Sequence, residues 1–236
     1  MKIQYLSIII GLVGIGFFIS SYTDGDKDQP SNPAPIAAPF EEENFSYAFG
    51  LMLGTDLKSR GMQASELNAE ELLKGLKAAL GDEAYEMDFN KAAQIVENTL
   101  LKIRRDALER NRALGKSFLS ENAKKKGVLS TPSGLQYEVI QEGQGPKPST
   151  QDKVHLHYEG RLISGTIFDS SKGQPEGLTL SVAALINGWQ EGLQLMSVGS
   201  KYKLYIPSGL AYGDEGAGKV PPSSTLIIEV ELVAIR

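Results

Sequence analysis

Apolar positions recur along this chain in two rhythms, and the change from one to the other divides the molecule. In the C-terminal half they alternate with polar residues over short runs, Lys153–Tyr158, Lys201–Ile206 and Thr225–Leu232, each bounded by Gly, Pro or Ser. Alternation sends successive side chains to opposite faces, so these runs predict half-buried strands. Leu135–Gln141 predicts the first strand of the same sheet, and GQGPKPS (143–149) a turn-rich link into Asp152. Between the strands, NGWQEGLQLM (187–196) has helical spacing, with Asn187 as the expected N-cap and Glu191 near the first turn. An antiparallel sheet with one short helix laid across it is an α+β arrangement.

Upstream the period is helical. Phe45, Phe49, Met52, Leu53 and Leu57 share one face of a segment that Gly61 stops. NAEELLKGLKAALG (68–81) opens with Asn68 and Glu71 in capping-box spacing and closes at Gly81. Asp88 then caps a run expected to reach about Lys126, with Ala92, Val96, Thr99, Leu100, Ile103, Ala107, Leu114 and Phe118 as its stripe. Only Gly115 weakens it. A helix of roughly 39 residues would be about 58 Å long and would need a partner surface. Lys124–Lys126 complement the dipole at its C-terminus.

Residues 1–23 carry Lys2 and an apolar run from Ile8 to Ile19, shorter than the roughly 20 residues of a membrane span and suited to a secretory signal core. The rival is an uncleaved N-terminal anchor, because SSYTDGD lacks a clear small-x-small cleavage site. Either places the remaining chain outside the cytoplasm, in the periplasm or on the outer surface of the inner membrane. Residues 24–42 are a polar, Pro-rich linker. The expected domains are therefore 43–126, helical, and 127–236, the sheet.

Composition narrows the chemistry. The 236 residues, 41% of them hydrophobic, can bury at least one sizeable core, and a formal net charge of −5 argues against a nucleic-acid partner. Without cysteine there is no disulfide, thiol nucleophile, Cys-based metal site or lipidated N-terminal cysteine. Two motifs are decoys. GDEGAGK (213–219) approaches a P-loop, but Val220 replaces the Ser/Thr and Pro221–Pro222 forbid the helix that must follow. His155 and His157 share a strand face but lack a third ligand, so no metal and no cofactor is expected.

The C-terminal half resembles the FKBP-type peptidyl-prolyl cis-trans isomerases. The resemblance rests on FDSS (168–171), I-x-G-W-x-E-G-L (186–193), M-x-V-G (196–199), AYG (211–213) and PP-x-x-T-L (221–226), five segments in the family's order between Gly134 and Ile235. Each segment alone is weak, and the ordered set is specific. The two short helices and the long one are similar to the N-terminal dimerisation module of Mip-like and FkpA-like isomerases, on SYAFGLMLGTDLKSRG and LLKGLKAAL. The bland alternative is that these helices pack on the sheet domain of their own chain.

The resemblance implies an antiparallel half-barrel sheet wrapped around one short helix. It implies Trp189, the only tryptophan, as pocket floor, Tyr158 and Phe168 as walls, and Leu185 and Ile186 beside them. The backbone N–H of Ile186 and the hydroxyl of Tyr212 would bind substrate carbonyls, Asp169 would orient the polar side, and Val220 and Ile228 would complete the apolar lining. Phe168, Asp169, Trp189 and Tyr212 are the catalytic candidates. The implied partners are proline-containing or unfolded polypeptides, macrolide inhibitors and a second copy of the chain. Three departures thin the pocket: Glu176 where an aromatic is usual, Ile228 where Phe is common, and a 213–222 loop a residue short that lacks a histidine. The expected activity is isomerisation of Xaa-Pro bonds during folding of exported proteins. The alternative is a dimeric holdase-type chaperone with weak or no isomerase activity.

Overall fold

A computed structural model of the chain describes residues 42–81 and 85–236. The expected leader, residues 1–23, and linker residues 24–41 lie outside the described residues. Helix α1 spans Glu42–Ser59, α2 Ala69–Leu80 and α3 Phe89–Asn122. The chain divides into two units between Leu57 and Lys58, within α1. In the first unit Phe45 and Phe49, one turn apart, stack with ring centroids 6.1 Å apart. Among the described residues no helix is long and apolar enough to cross a membrane.

The second unit begins at Lys58, and Gly61, with φ +98°, ends α1 as a left-handed residue. Gly61 is also required by space, because a Cβ there would come well inside 3.0 Å of the Ala107 methyl. Asn68 caps α2, its Oδ1 accepting from the N–H groups of Glu70 and Glu71 at 3.0 and 3.2 Å. Asp88 caps α3 by accepting from Lys91 N–H at 3.0 Å. Helix α3 is 34 residues long, about 51 Å, and stops short of the expected Lys126. The reason lies at Asn122, which is fully buried and donates from Nδ2 to Gln136 Oε1 at 3.0 Å. Gln136 Nε2 in turn donates to Leu119 O at 2.9 Å, tying the last turn to the sheet.

The face α3 buries matches the expected stripe only in part, at Ile103 and Ala107. Ile103, Ala107, Gly115 and Asn122 are buried, whereas Val96 and Leu114 are about half exposed. The C-terminal half of α3 thus lies on the sheet domain of its own chain through small and polar residues and the ring of Phe118, 6.0 Å from that of Tyr205, and the N-terminal half presents Phe89, Ile95 and Leu101 to solvent.

The sheet is antiparallel throughout, in the order β1 (Val128–Ser130), β2 (Gln136–Gln141), β6 (Lys201–Ile206), β7 (Leu226–Ile235), β3 (Lys153–Leu162), β4 (Ile167–Ser170), with β5 (Leu178–Ser181) also paired to β3. Alternation along the longer strands indicates β2, β3, β6 and β7; β1, β4 and β5 have three or four residues each, too few to show a period. Helix α4 (Asn187–Leu195) crosses the sheet and closes the core with Leu193, Met196, Leu156, Leu204, Ile206 and Val230, all fully buried. Two glycines let it approach. A Cβ on Gly188 would strike Ile206, and one on Gly192 would lie 2.5 Å from Leu204 Cδ1. Asn187 is not the N-cap: Ile186 has extended ψ of 150°, and its carbonyl accepts from Trp189 and Gln190 N–H at 2.9 and 3.0 Å.

Leu193 marks the centre of this core, so Leu193→Ala is expected to destabilise the fold by about 2–5 kcal/mol, read as a lowered denaturation midpoint at unchanged slope. A loss below about 1 kcal/mol would mean that α4 does not pack as described.

Candidate active site

The site grows from the junction of β3, β4 and the N-terminus of α4. Tyr158 on β3 is locked by Ser171, whose Oγ accepts Tyr158 N–H at 2.9 Å and whose own N–H reaches Tyr158 O at 3.0 Å. Two residues on, Gly160 has no side chain, and Phe168 from β4 fills that space. A Cβ on Gly160 would lie 2.5 Å from Phe168 Cζ. The register shift between Gly160 and Arg161 falls at this point, where a bulge re-aims the strand.

Asp169 follows Phe168 and faces the phenol of Tyr158, which donates to its Oδ2 at 2.6 Å. Asp169 Oδ1 accepts from Ser170 N–H at 2.9 Å. Burial first, and then this bond to Asp169, hold the Tyr158 hydroxyl far above the ordinary tyrosine value, so it remains a neutral donor. Burial and the charge of Asp169 also raise Tyr212. The Tyr212 hydroxyl makes no hydrogen bond within the described residues and is partly open to solvent.

Trp189 sits in the first turn of α4, 8% exposed, with its ring edge-on to Tyr158 at 5.0 Å and 65°. Its indole N–H is buried without an acceptor. Leu185 and Ile186, half-buried, lead from the turn Val182–Ala184 into α4. The carbonyl of Ile186 caps the helix, and its N–H has no partner within the described residues. Gln190 fixes this lead-in, its Nε2 donating to Leu185 O at 2.7 Å and Ala183 O at 3.3 Å.

Tyr158, Phe168, Asp169 and Trp189 are therefore brought together, with Tyr212 close enough to feel Asp169 and with Leu185 and Ile186 packed against the same cluster. Val220 and Ile228 are 4% and 2% exposed, so they support the cluster from within the core. Ile228 pairs with Gly160 across β3 and β7, beneath the Phe168 ring. Glu176 stands exposed in the turn before β5 and adds no apolar wall. Sequence reasoning gives Gly160 and Gln190 no role and reaches Ser171 only as the last residue of FDSS; for Gln190 the signal lies in its neighbours in IxGWxEGL.

The decoy motifs resolve as well. GDEGAGK is a loop that turns back through the Ala217–Val220 bridge and leads to a strand, so no helix N-terminus follows it. His155 Nδ1 lies 3.1 Å from Thr179 Oγ1 across the sheet. A separate open groove of about 430 Å³, lined by Arg110, Leu114, Leu162, Pro221 and Thr225 among others, lies between α3 and the sheet. None of the predicted site residues lines it.

Comparison with known proteins gives the same picture twice over. The family model described as FKBP-type peptidyl-prolyl cis-trans isomerase matches residues 145–233, and the one described as the domain amino terminal to it matches residues 42–139. The FKBP-type peptidyl-prolyl cis-trans isomerase FkpA of Aeromonas hydrophila is 43% identical over 225 residues, covering 89% of this chain and 83% of that protein. The FKBP-type 22 kDa peptidyl-prolyl cis-trans isomerase of Escherichia coli is 43% identical over 82% of this chain and 95% of its own length. The crystal structure of FkpA from Escherichia coli superposes with a TM-score of 0.58 at 31% identity, over 85% of this chain and 99% of that one.

Trp189 is the only tryptophan, so its emission reports this site alone. Gly160→Ala is expected to push the Phe168 ring outward, increase quenching of Trp189 by acrylamide and cost about 1–3 kcal/mol. Unchanged quenching and stability would show that the ring does not depend on the space at Gly160.

Proposed function

This chain belongs to the FKBP-type peptidyl-prolyl cis-trans isomerases and is an enzyme of that class, and we propose that the aromatic cluster of β3, β4 and α4 is where it rotates Xaa-Pro bonds. The barrier to that rotation is about 20 kcal/mol, because the amide C–N bond has partial double-bond character. Twisting removes the resonance and makes the carbonyl less polar. A dry apolar surface therefore favours the twisted amide over the planar one, which is catalysis by differential binding without covalent chemistry.

The prolyl ring rests against Trp189, between Tyr158 and Phe168. The N–H of Ile186 and the hydroxyl of Tyr212 donate to the carbonyls flanking the bond, and Asp169 holds Tyr158 in place while presenting a fixed negative charge. Leu185 closes one side, and Val220 and Ile228 back the surface. The observation that carries this reading is the pairing of an unpartnered Ile186 N–H with a buried indole three residues later on the same helix start.

The assembly we propose is a homodimer of exported chains acting on folding polypeptides. Phe45, Met52, Leu73 and Leu80 are 61%, 55%, 53% and 88% exposed, more apolar surface than a stable monomer normally leaves on short helices. The match of the amino-terminal domain model supports the same reading. The domain limits are set near 43–126 and 127–236, and the apolar run Ile8–Ile19 supports export or anchoring outside the cytoplasm. The same exposed helices favour a second role, holding unfolded chains between the two subunits.

Phe168→Ala and Asp169→Ala are each expected to lower catalysis of a short Xaa-Pro peptide by about tenfold or more, measured by exchange spectroscopy without a coupling protease. Full activity in both would overturn the site assignment. Deleting residues 45–80 is expected to yield monomers that still isomerise short peptides but no longer suppress aggregation of an unfolded protein. A dimeric deletion product would overturn the assembly.

A further inference from the structure

Helix α3 grips the loop that bears one of the proposed substrate contacts, the Tyr212 hydroxyl. That loop runs from Tyr212 to Val220 and contains Gly213, Gly216 and Gly218, all with positive φ. A segment so rich in glycine has little conformational preference of its own. Its base is closed by Ser223, which adopts φ +53°, donates its N–H to Gly213 O at 2.8 Å and donates its hydroxyl to Asp214 Oδ1 at 2.5 Å.

Gly213 N–H also donates to Ser208 O at 2.9 Å, and the remaining side-chain ties come from one side of α3. Arg112 pairs with Asp214 Oδ2, Arg104 with Glu215 at 2.5 Å, and Asn111 Nδ2 donates to Pro222 O at 2.8 Å. Positions 104, 111, 112 and 115 recur on one helical face. At the last of them Gly115 lets α3 come close enough that a Cβ would strike Thr225. The Asp214 carboxylate receives both the Ser223 hydroxyl and the Arg112 guanidinium, which hold it below the usual carboxylate range.

We propose that Arg112 and Asn111 of α3 are positioning residues for the isomerase, holding the Tyr212–Val220 loop where the Tyr212 hydroxyl meets the substrate and Val220 backs the apolar surface. This rests on the role proposed above for Tyr212. Surface ion pairs add little stability singly, and both partners here are well exposed, so the effect belongs to loop geometry rather than to the fold. Losing the ties widens the range of loop positions and weakens substrate binding, while the aromatic floor on α4 and the walls on β3 and β4 stay intact.

The test uses the full chain with the double substitution Arg112→Ala, Asn111→Ala, the rescue Arg112→Lys, and Lys116→Ala as an exposed control on the same helix. Isomerisation of Xaa-Pro peptides is measured for kcat and KM, alongside amide exchange at Ala217 and Val220, which bond to each other across the loop at 2.8–2.9 Å. The double variant is expected to raise KM about fivefold with kcat within about twofold, as loss of uniform binding does. Exchange at the two amides is expected to speed about tenfold. Arg112→Lys restores most of the KM, and Lys116→Ala changes nothing. A KM within about twofold of the parent overturns the proposal, whether or not exchange accelerates. So does a fall in kcat equal to the change in kcat/KM, or a KM that Arg112→Lys leaves as high as Ala does. Phe168→Ala in the same assay separates the two readings: if it keeps full activity the site assignment falls, whereas the positioning role stands or falls on the α3 variants alone.

Discussion

Two glycines on α4 allow the rest of the domain to exist in its present form. Gly188 and Gly192, four residues apart, lie on the face of the helix that meets Ile206 and Leu204 of β6, and neither position has room for a Cβ. Backbone therefore packs directly on side chains, and the helix sinks into the sheet far enough to bury Leu193 and Met196 completely. Trp189, between the two glycines in sequence, is carried down with them and becomes a floor rather than a surface ring. The helix start, with Ile186 as its cap, ends up beside that floor. Close packing of a core and placement of a donor next to an apolar surface are here one event.

The proposed pocket is built around a second close approach, the Phe168 ring over Gly160. Together the two contacts place aromatic rings from β3, β4 and α4 around a common surface with few polar groups. Those few are disposed with care. The Tyr158 phenol is committed to Asp169, leaving the Tyr212 hydroxyl and the Ile186 N–H without partners among the described residues. An amide that loses polarity as it twists is favoured by such surroundings, because the dry surface penalises the planar form more. Glu176 stands exposed, away from the place where the rings meet, and Ile228 lies buried behind them.

The helical region follows a different logic. Helix α2 has no buried residue, and the N-terminal half of α3 leaves Ile95, Val96 and Leu101 half exposed. The C-terminal half of α3 is docked on the sheet by an Asn–Gln pair, a glycine, ion pairs and one ring contact, Phe118 on Tyr205, instead of by a continuous apolar stripe. A polar junction of this kind fixes direction more than it adds stability, since exposed ion pairs and satisfied hydrogen bonds each contribute little net energy. Helix and sheet can thus be oriented without forming one continuous core.

What the sequence by itself determined is what a short window of residues can encode. Helical period and end signals located α1, α2 and α3 to within a few residues, with Asn68 and Asp88 as the caps they looked like. Alternation located the four longer strands, and five ordered segments were enough to recognise the family. Tertiary structure decided the rest, because the causes lie far apart along the chain. Strands of three and four residues exist only because β2 and β3 offer them an edge. Asn187 lost the cap to Ile186 because the turn Val182–Ala184 delivers an extended residue there. Of the expected stripe of α3, Ile103 and Ala107 are buried whereas Val96 and Leu114 are not, and Gly115 and Asn122 join the buried face because the helix meets Thr225 and Gln136 there. The ties from Arg112 to Asp214, 102 residues apart, leave no periodic trace at all. Local rhythm reports what each segment can bury; only the folded chain selects which neighbour it is buried against.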